Sequence, residues 1–115
     1  MKKNIVKEKS FELAIEIVKA CKFIKEEKKE FVMSEQMLRS GTAIGALVRE
    51  AEQAESRKDF IHKLSISLKE CNETEYWLDL LKVTGYFKGY EFDILYNKNK
   101  EVLRLLISII KKSRG

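Results

Sequence analysis

The stretch from Arg57 to Val83, RKDFIHKLSISLKECNETEYWLDLLKV, runs for 27 residues without a glycine or proline and reads as one uninterrupted helix. Phe60, Leu64, Ser67, Cys71, Thr74, Leu78 and Leu81 follow alternating steps of three and four, which puts them on one inward seam. Ile61, Leu68 and Trp77 widen that apolar face. Carboxylates lie close beside it, and a helix of this length needs partner helices to cover its apolar side. Ser56 and Asp59 resemble a capping box at its start, with aspartate in place of the usual glutamate. Gly85 and Gly89 end it and bracket the turn VTGYFKGYEF.

Three more helices are expected around it. The first covers about residues 7–27. Between Phe11 and Ile24 its only charges are Glu12, Glu16, Lys19 and Lys22, one narrow polar seam, so it offers more apolar surface than one core needs. The second covers about 34–55, with Ser34 as its N-cap. Gly41 and Gly45 lie one turn apart in a small-residue run that lets a neighbouring backbone approach closely. A phosphate-binding glycine loop would need a preceding strand and a following Gly-Lys-Ser/Thr, and neither is present. The fourth covers about 91–112, and its VLRLLISII segment is again apolar except for Arg104 and Ser108. The turn between helices two and three is short, so those two should pack antiparallel.

Composition agrees with long helices and short turns in one domain spanning residues 1–115: no proline, five glycines, 36% charged and 44% hydrophobic residues. No run of 18 apolar residues exists, and the N-terminus lacks an apolar signal region, so a cytoplasmic location is expected. Cys21 and Cys71 are isolated and read as buried free thiols. The net charge of +5 is concentrated at the two ends of the sequence. Lys2, Lys3, Lys7 and Lys9 face only Glu8, and the last 18 residues hold six cations against Glu101. Such ends either keep the protein solvated or meet a polyanion.

Catalytic constellations do not assemble. His62 is the only histidine, which leaves no zinc set and no Glu-x-x-His pair for a dimetal bundle site. Asp59, His62 and Ser65 or Ser67 share one helix with no nucleophile turn or oxyanion hole. Glu70 and Glu73 share a face near Glu50, and Arg39, Arg49 or Arg57 is expected to complete a polar network between helices or subunits. No cofactor is expected. Tyr76, Trp77 and Tyr86, with Phe87, Tyr90 and Phe92, read as packing or as a docking surface for a protein partner.

The run Arg39-Ser40-Gly41-Thr42-Ala43-Ile44-Gly45-Ala46, then Glu50-Ala51 and Ala54-Glu55-Ser56-Arg57-Lys58-Asp59-Phe60-Ile61, resembles the four-helix bundle proteins also called 23S rRNA intervening-sequence proteins. Lys63-Leu64-Ser65-Ile66, Leu68-Lys69-Glu70 and Glu73-Thr74-Glu75-Tyr76-Trp77-Leu78 carry the same resemblance. It implies an all-α, up-down-up-down, left-handed four-helix bundle and a ring-shaped homopentamer. Related members lie within inserts of bacterial 23S rRNA genes, and a similar bundle is the accessory protein of diversity-generating retroelements, working with a reverse transcriptase and RNA. The family often has asparagine where this chain has Leu47, so a site on Glu50 does not transfer directly.

These readings converge on a non-enzymatic oligomeric scaffold, with helices one and four supplying much of the subunit interface. RNA or a ribonucleoprotein would bind the basic ends through Lys2, Lys3, Lys7, Lys9, Lys111, Lys112 and Arg114. The alternative is a protein-interaction module docking at Tyr76, Trp77 and Tyr86.

Overall fold

A computed structural model describes residues 4–115. Four helices account for nearly all of them: α1 (Ile5–Lys28), α2 (Val32–Glu52), α3 (Arg57–Val83) and α4 (Gly89–Arg114). Each helix packs on its two neighbours around a closed circuit, and the α1–α4 seam is the thinnest of the four. Cross-links show that neighbours run antiparallel. Lys7 pairs with Glu52 while Lys25 pairs with Glu35. Lys63 reaches Glu50 while Arg39 reaches Glu73, and Lys100 binds Glu75 while Arg57 reaches Ser113. The result is an all-α four-helix bundle about 44 Å long and 24 × 22 Å across.

The α3 seam packs as its periodicity predicts. Leu64, Ser67, Cys71, Thr74, Leu78 and Leu81 are buried, and Phe60 is half-buried. They meet Leu13, Ile17 and Ile24 of α1, Met37 and Ile44 of α2, and Val102 and Leu106 of α4 in one core. The buried hydroxyls are satisfied locally or across a seam. Ser67 donates to the Ile44 carbonyl at 2.9 Å, and Thr74 meets Ser40 at 2.9 Å. Asn99 is fully buried on α4 and donates its amide to the Cys71 carbonyl at 2.9 Å.

Two helix starts differ from the sequence reading. Ser34 is not the N-cap of α2, which begins two residues earlier. The Glu30 carboxylate instead accepts the N–H groups of Val32, Met33 and Ser34 at 2.8–3.0 Å, satisfying three donors that the helix itself leaves free. Its negative charge also complements the helix dipole. Burial pushes the Glu30 pKa up, but these donors outweigh it and hold the group below its usual value. Ser34 is buried in the first turn, its hydroxyl donating to the Glu30 carbonyl. Likewise, Gly89 opens α4 rather than only closing the turn, and Glu91 accepts the Lys88 N–H at 3.3 Å.

The α3 start is capped by Ser56, which accepts from the Asp59 N–H at 3.0 Å. Asp59 returns its bond to Glu55 rather than to Ser56, one residue beyond the reciprocal pattern. The small-residue run in α2 allows a close approach to α1. A Cβ built on Gly41 would stand 2.8 Å from Ile17 Cγ2, and one on Gly45 would stand 3.3 Å from the Ser10 hydroxyl.

Candidate nucleic-acid interface

An even number of antiparallel helices returns the chain to the end where it began. The start of α1, the α2–α3 turn and the end of α4 therefore share one end of the bundle. Two shallow cavities mark the junction. One places Lys112 beside Asn4 and Ile5, and the other places it beside Ser56 and Arg57. Arg57 donates to the Ser113 carbonyl at 3.4 Å, tying the start of α3 to the end of α4. Among the described residues, the start of α1 and the end of α4 therefore contribute to one surface.

The cations on that surface are not equivalent. Lys7 is 3.2 Å from Glu52, and Lys9 lies 3.7 Å from Glu101 and 3.8 Å from Glu12. Arg57, Lys58, Lys111, Lys112 and Arg114 are exposed and have no acidic partner among the described residues. Lys2 and Lys3 lie outside the described residues. Arg57 and Lys58 belong to this surface, so Arg57 stands apart from the polar network expected of it. The signal that could have found them is their position at the turn that an antiparallel bundle sets beside both termini.

The expected five-residue polar network divides into three. Arg39 bridges Glu70 at 3.3 Å and pairs closely with Glu73, whose carboxylate also accepts the Trp77 indole N–H at 3.0 Å. Glu50 pairs instead with Lys63 at 3.1 Å, and Arg57 stands at the basic end. The separation follows from height along the bundle, since Glu50 lies three turns beyond Arg39 on α2.

The Arg39 hydrogen bond, and then that of Trp77, hold the Glu73 carboxyl below its usual range. A depressed carboxylate pKa contributes stability that is complete above the unfolded value of about 4.3 and is lost as pH falls through the lower folded value. Trp77 is the only tryptophan, so it reports this proton directly. Its emission should change in a step below the usual glutamate value, and Glu73→Gln should abolish the step. A step at or above the usual glutamate value would contradict this reading.

The aromatic residues also separate. Tyr76 packs edge-on against Trp77, with ring centroids 5.0 Å apart, on α3. Tyr86 instead lines a small cavity with Phe23 and Lys28, toward α1. Trp77 and Tyr86 are half-buried against the core, and Tyr76 is exposed. Cys21 and Cys71 are free and buried, and burial pushes both thiols up to about 12, so they are protonated at neutral pH. Among the described residues no three His, Cys, Asp or Glu side chains converge as a metal set, and no helix is long and apolar enough to cross a membrane.

The fold and these motifs have relatives. A crystal structure of a protein with unknown function from the S23 ribosomal protein family of Bacteroides thetaiotaomicron is 59% identical, covers 92% of this chain and 98% of its own, and superposes with a TM-score of 0.91. No curated protein matches. The sequence profile described as 23S rRNA-intervening sequence protein matches residues 2–108. With that match running through all four helices, the chain belongs to the 23S rRNA-intervening sequence protein family.

Proposed function

We propose that this protein is a non-enzymatic, self-assembling cytoplasmic scaffold that binds RNA, alone or within a ribonucleoprotein, through the basic end of its bundle. The observation that carries the reading is the gathering of the start of α1, the end of α4, Arg57 and Lys58 at one end of the bundle, where five cations lack acidic partners among the described residues. Phosphate contacts of this kind act through counterion release, so affinity falls steeply with salt. Five such contacts to a flexible strand correspond to a slope of roughly −3.5 in log affinity against log salt. Titrating a fluorescent structured RNA between 50 and 200 mM salt measures it. No binding at the low end, or binding indifferent to salt, would overturn the RNA reading. Docking of a protein partner at Tyr76, Trp77 and Tyr86 is the weaker alternative, because Trp77 and Tyr86 are half-buried against the chain's own core.

Self-assembly is supported by apolar side chains that one bundle leaves in water. Phe11, Val18 and Phe23 of α1 and Tyr90, Ile94 and Ile107 of α4 are all exposed, and apolar burial contributes about 25 cal/mol per Å². A ring of copies, the homopentamer that the family resemblance implies, would cover much of this surface and repeat the basic end around its rim. Light scattering that found only monomer at micromolar concentration would overturn it.

A further inference from the structure

The basic end of the bundle is not flat. A recess of about 550 Å³ opens where the α2–α3 turn meets the end of α4, inside the range of roughly 300–1,000 Å³ that small-ligand sites occupy. One wall is apolar. Phe60 lines it, half-buried against the core, with Ala51 and Ala54 beside it. A longer side chain at Ala54 would occupy the space. The other wall is cationic, lined by Arg57 and Lys112, which are exposed and lack acidic partners among the described residues. The 3.4 Å bond to the Ser113 carbonyl orients the Arg57 guanidinium and leaves the rest of its donor fork free for an anion. The Ser56 hydroxyl accepts the Asp59 N–H and keeps its own proton to donate. Among the described residues Glu52 is the one carboxylate on the lining, and Lys7 stands 3.2 Å from it.

We propose that this recess takes one unpaired nucleotide of a single-stranded RNA, with its base against Phe60 and its phosphate on Arg57 and Lys112. This rests on the RNA reading above and adds the strand state of the RNA and the seat of a base. Exposed cations alone would serve any polyanion. An aromatic wall beside them matches a nucleotide, which joins a π face to a phosphate. A duplex presents phosphates and 2′-hydroxyls outward and keeps its bases stacked inside, so it cannot fill an apolar recess. An unpaired base is free to leave its strand and stack on an aromatic ring. The second cavity beside Lys112 offers no such fit. Ile5, Val6, Leu105 and Ile109 line it without an aromatic ring, and it lies between α1 and α4 on the surface proposed for self-assembly. Lys58, Lys111 and Arg114, exposed at the same end, then take the phosphates on either side of the seated nucleotide.

The test is fluorescence anisotropy with three probes: a labelled single-stranded RNA, the same strand annealed to its complement, and a strand of equal length carrying abasic sites in place of bases. The intact strand should bind about tenfold tighter than the abasic one, the effect of one base stacked on one ring. Phe60→Leu keeps apolar packing and removes the ring face, while Ala54→Leu fills the recess. Each should weaken binding of the intact strand about tenfold and leave its salt slope unchanged, because neither removes a phosphate contact. Binding of the abasic strand and of the duplex should not respond to either variant. Circular dichroism confirms that both variants fold. An abasic strand that binds as tightly as the intact one would overturn the base site, as would variants that bind the intact strand as the parent does. A duplex weakened by the variants as much as the single strand would overturn it too. In each of these cases salt-dependent RNA binding by the parent survives. A parent chain that binds no RNA at low salt would overturn the RNA reading itself, so the two failures are distinguishable.

Discussion

Gly41→Val is expected to lower the stability of the bundle by about 3 kcal/mol, read as a fall in the urea midpoint at unchanged slope. A Cβ at Gly41 stands 2.8 Å from Ile17 Cγ2 and 2.9 Å from Cγ1, both distances that real Cβ atoms do not tolerate. Ile17 cannot retreat, being fully buried against the rest of the core. Two further methyl groups would therefore force α1 and α2 apart and open gaps along their seam. Valine gains a few tenths of a kcal/mol in helix propensity over glycine, which is too little to offset overpacking of 1–3 kcal/mol or more. Gly89→Ala is the control. Nothing lies within 4 Å of its Cβ position, so the variant should be neutral or slightly more stable. A Gly41→Val loss below about 1 kcal/mol would mean that the seam is looser than its geometry indicates.

The second large effect concerns binding. Replacing Arg57, Lys111, Lys112 and Arg114 together by glutamine should reduce RNA affinity at 0.1 M salt by a factor on the order of 10²–10³. Most of the salt slope should vanish with it. The reasoning is additive. Each phosphate contact to a flexible strand contributes about 0.7 to the slope, and the four losses compound at low salt. Folding should be nearly unaffected, because these side chains are exposed and only Arg57 makes a hydrogen bond, a long one to the Ser113 carbonyl. Lys7→Gln and Lys9→Gln should matter far less, since those ammonium groups already sit beside Glu52, Glu101 and Glu12. If the fourfold variant binds with the parent's slope, RNA contacts lie elsewhere on the protein.

The inward seam of α3 was legible because period alone defines it. A step pattern of three and four names the same residues whatever they pack against, and Ser67 and Thr74 fit it despite their hydroxyls. The Gly41–Gly45 approach was legible for the same reason, since helical spacing and residue size are both local. The start of α2 was not. A serine before an apolar run is the ordinary cap signature, but here the carboxylate of Glu30 curls over the first turn and caps three N–H groups at once. Nor could the sequence separate paired from unpaired lysines. The partner of Lys7 is 45 residues away, and only the packing of α1 on α2 brings Glu52 to it. The division of Arg39, Glu70 and Glu73 from Glu50 has the same origin, because which carboxylate faces which cation depends on height along the bundle.

The thin α1–α4 seam has a consequence for folding. It joins the first and last helices, so it closes the longest stretch of chain for the least contact. The α2–α3 hairpin, with the most extensive contact and a turn of four residues, is the natural place for folding to begin. The seam would then zip last and open first. Since the exposed apolar side chains of α1 and α4 are also the surface proposed for self-assembly, a neighbouring copy would act as a latch across the least secure joint. Resistance to unfolding would then depend on protein concentration, and the isolated chain would be its own most fragile form.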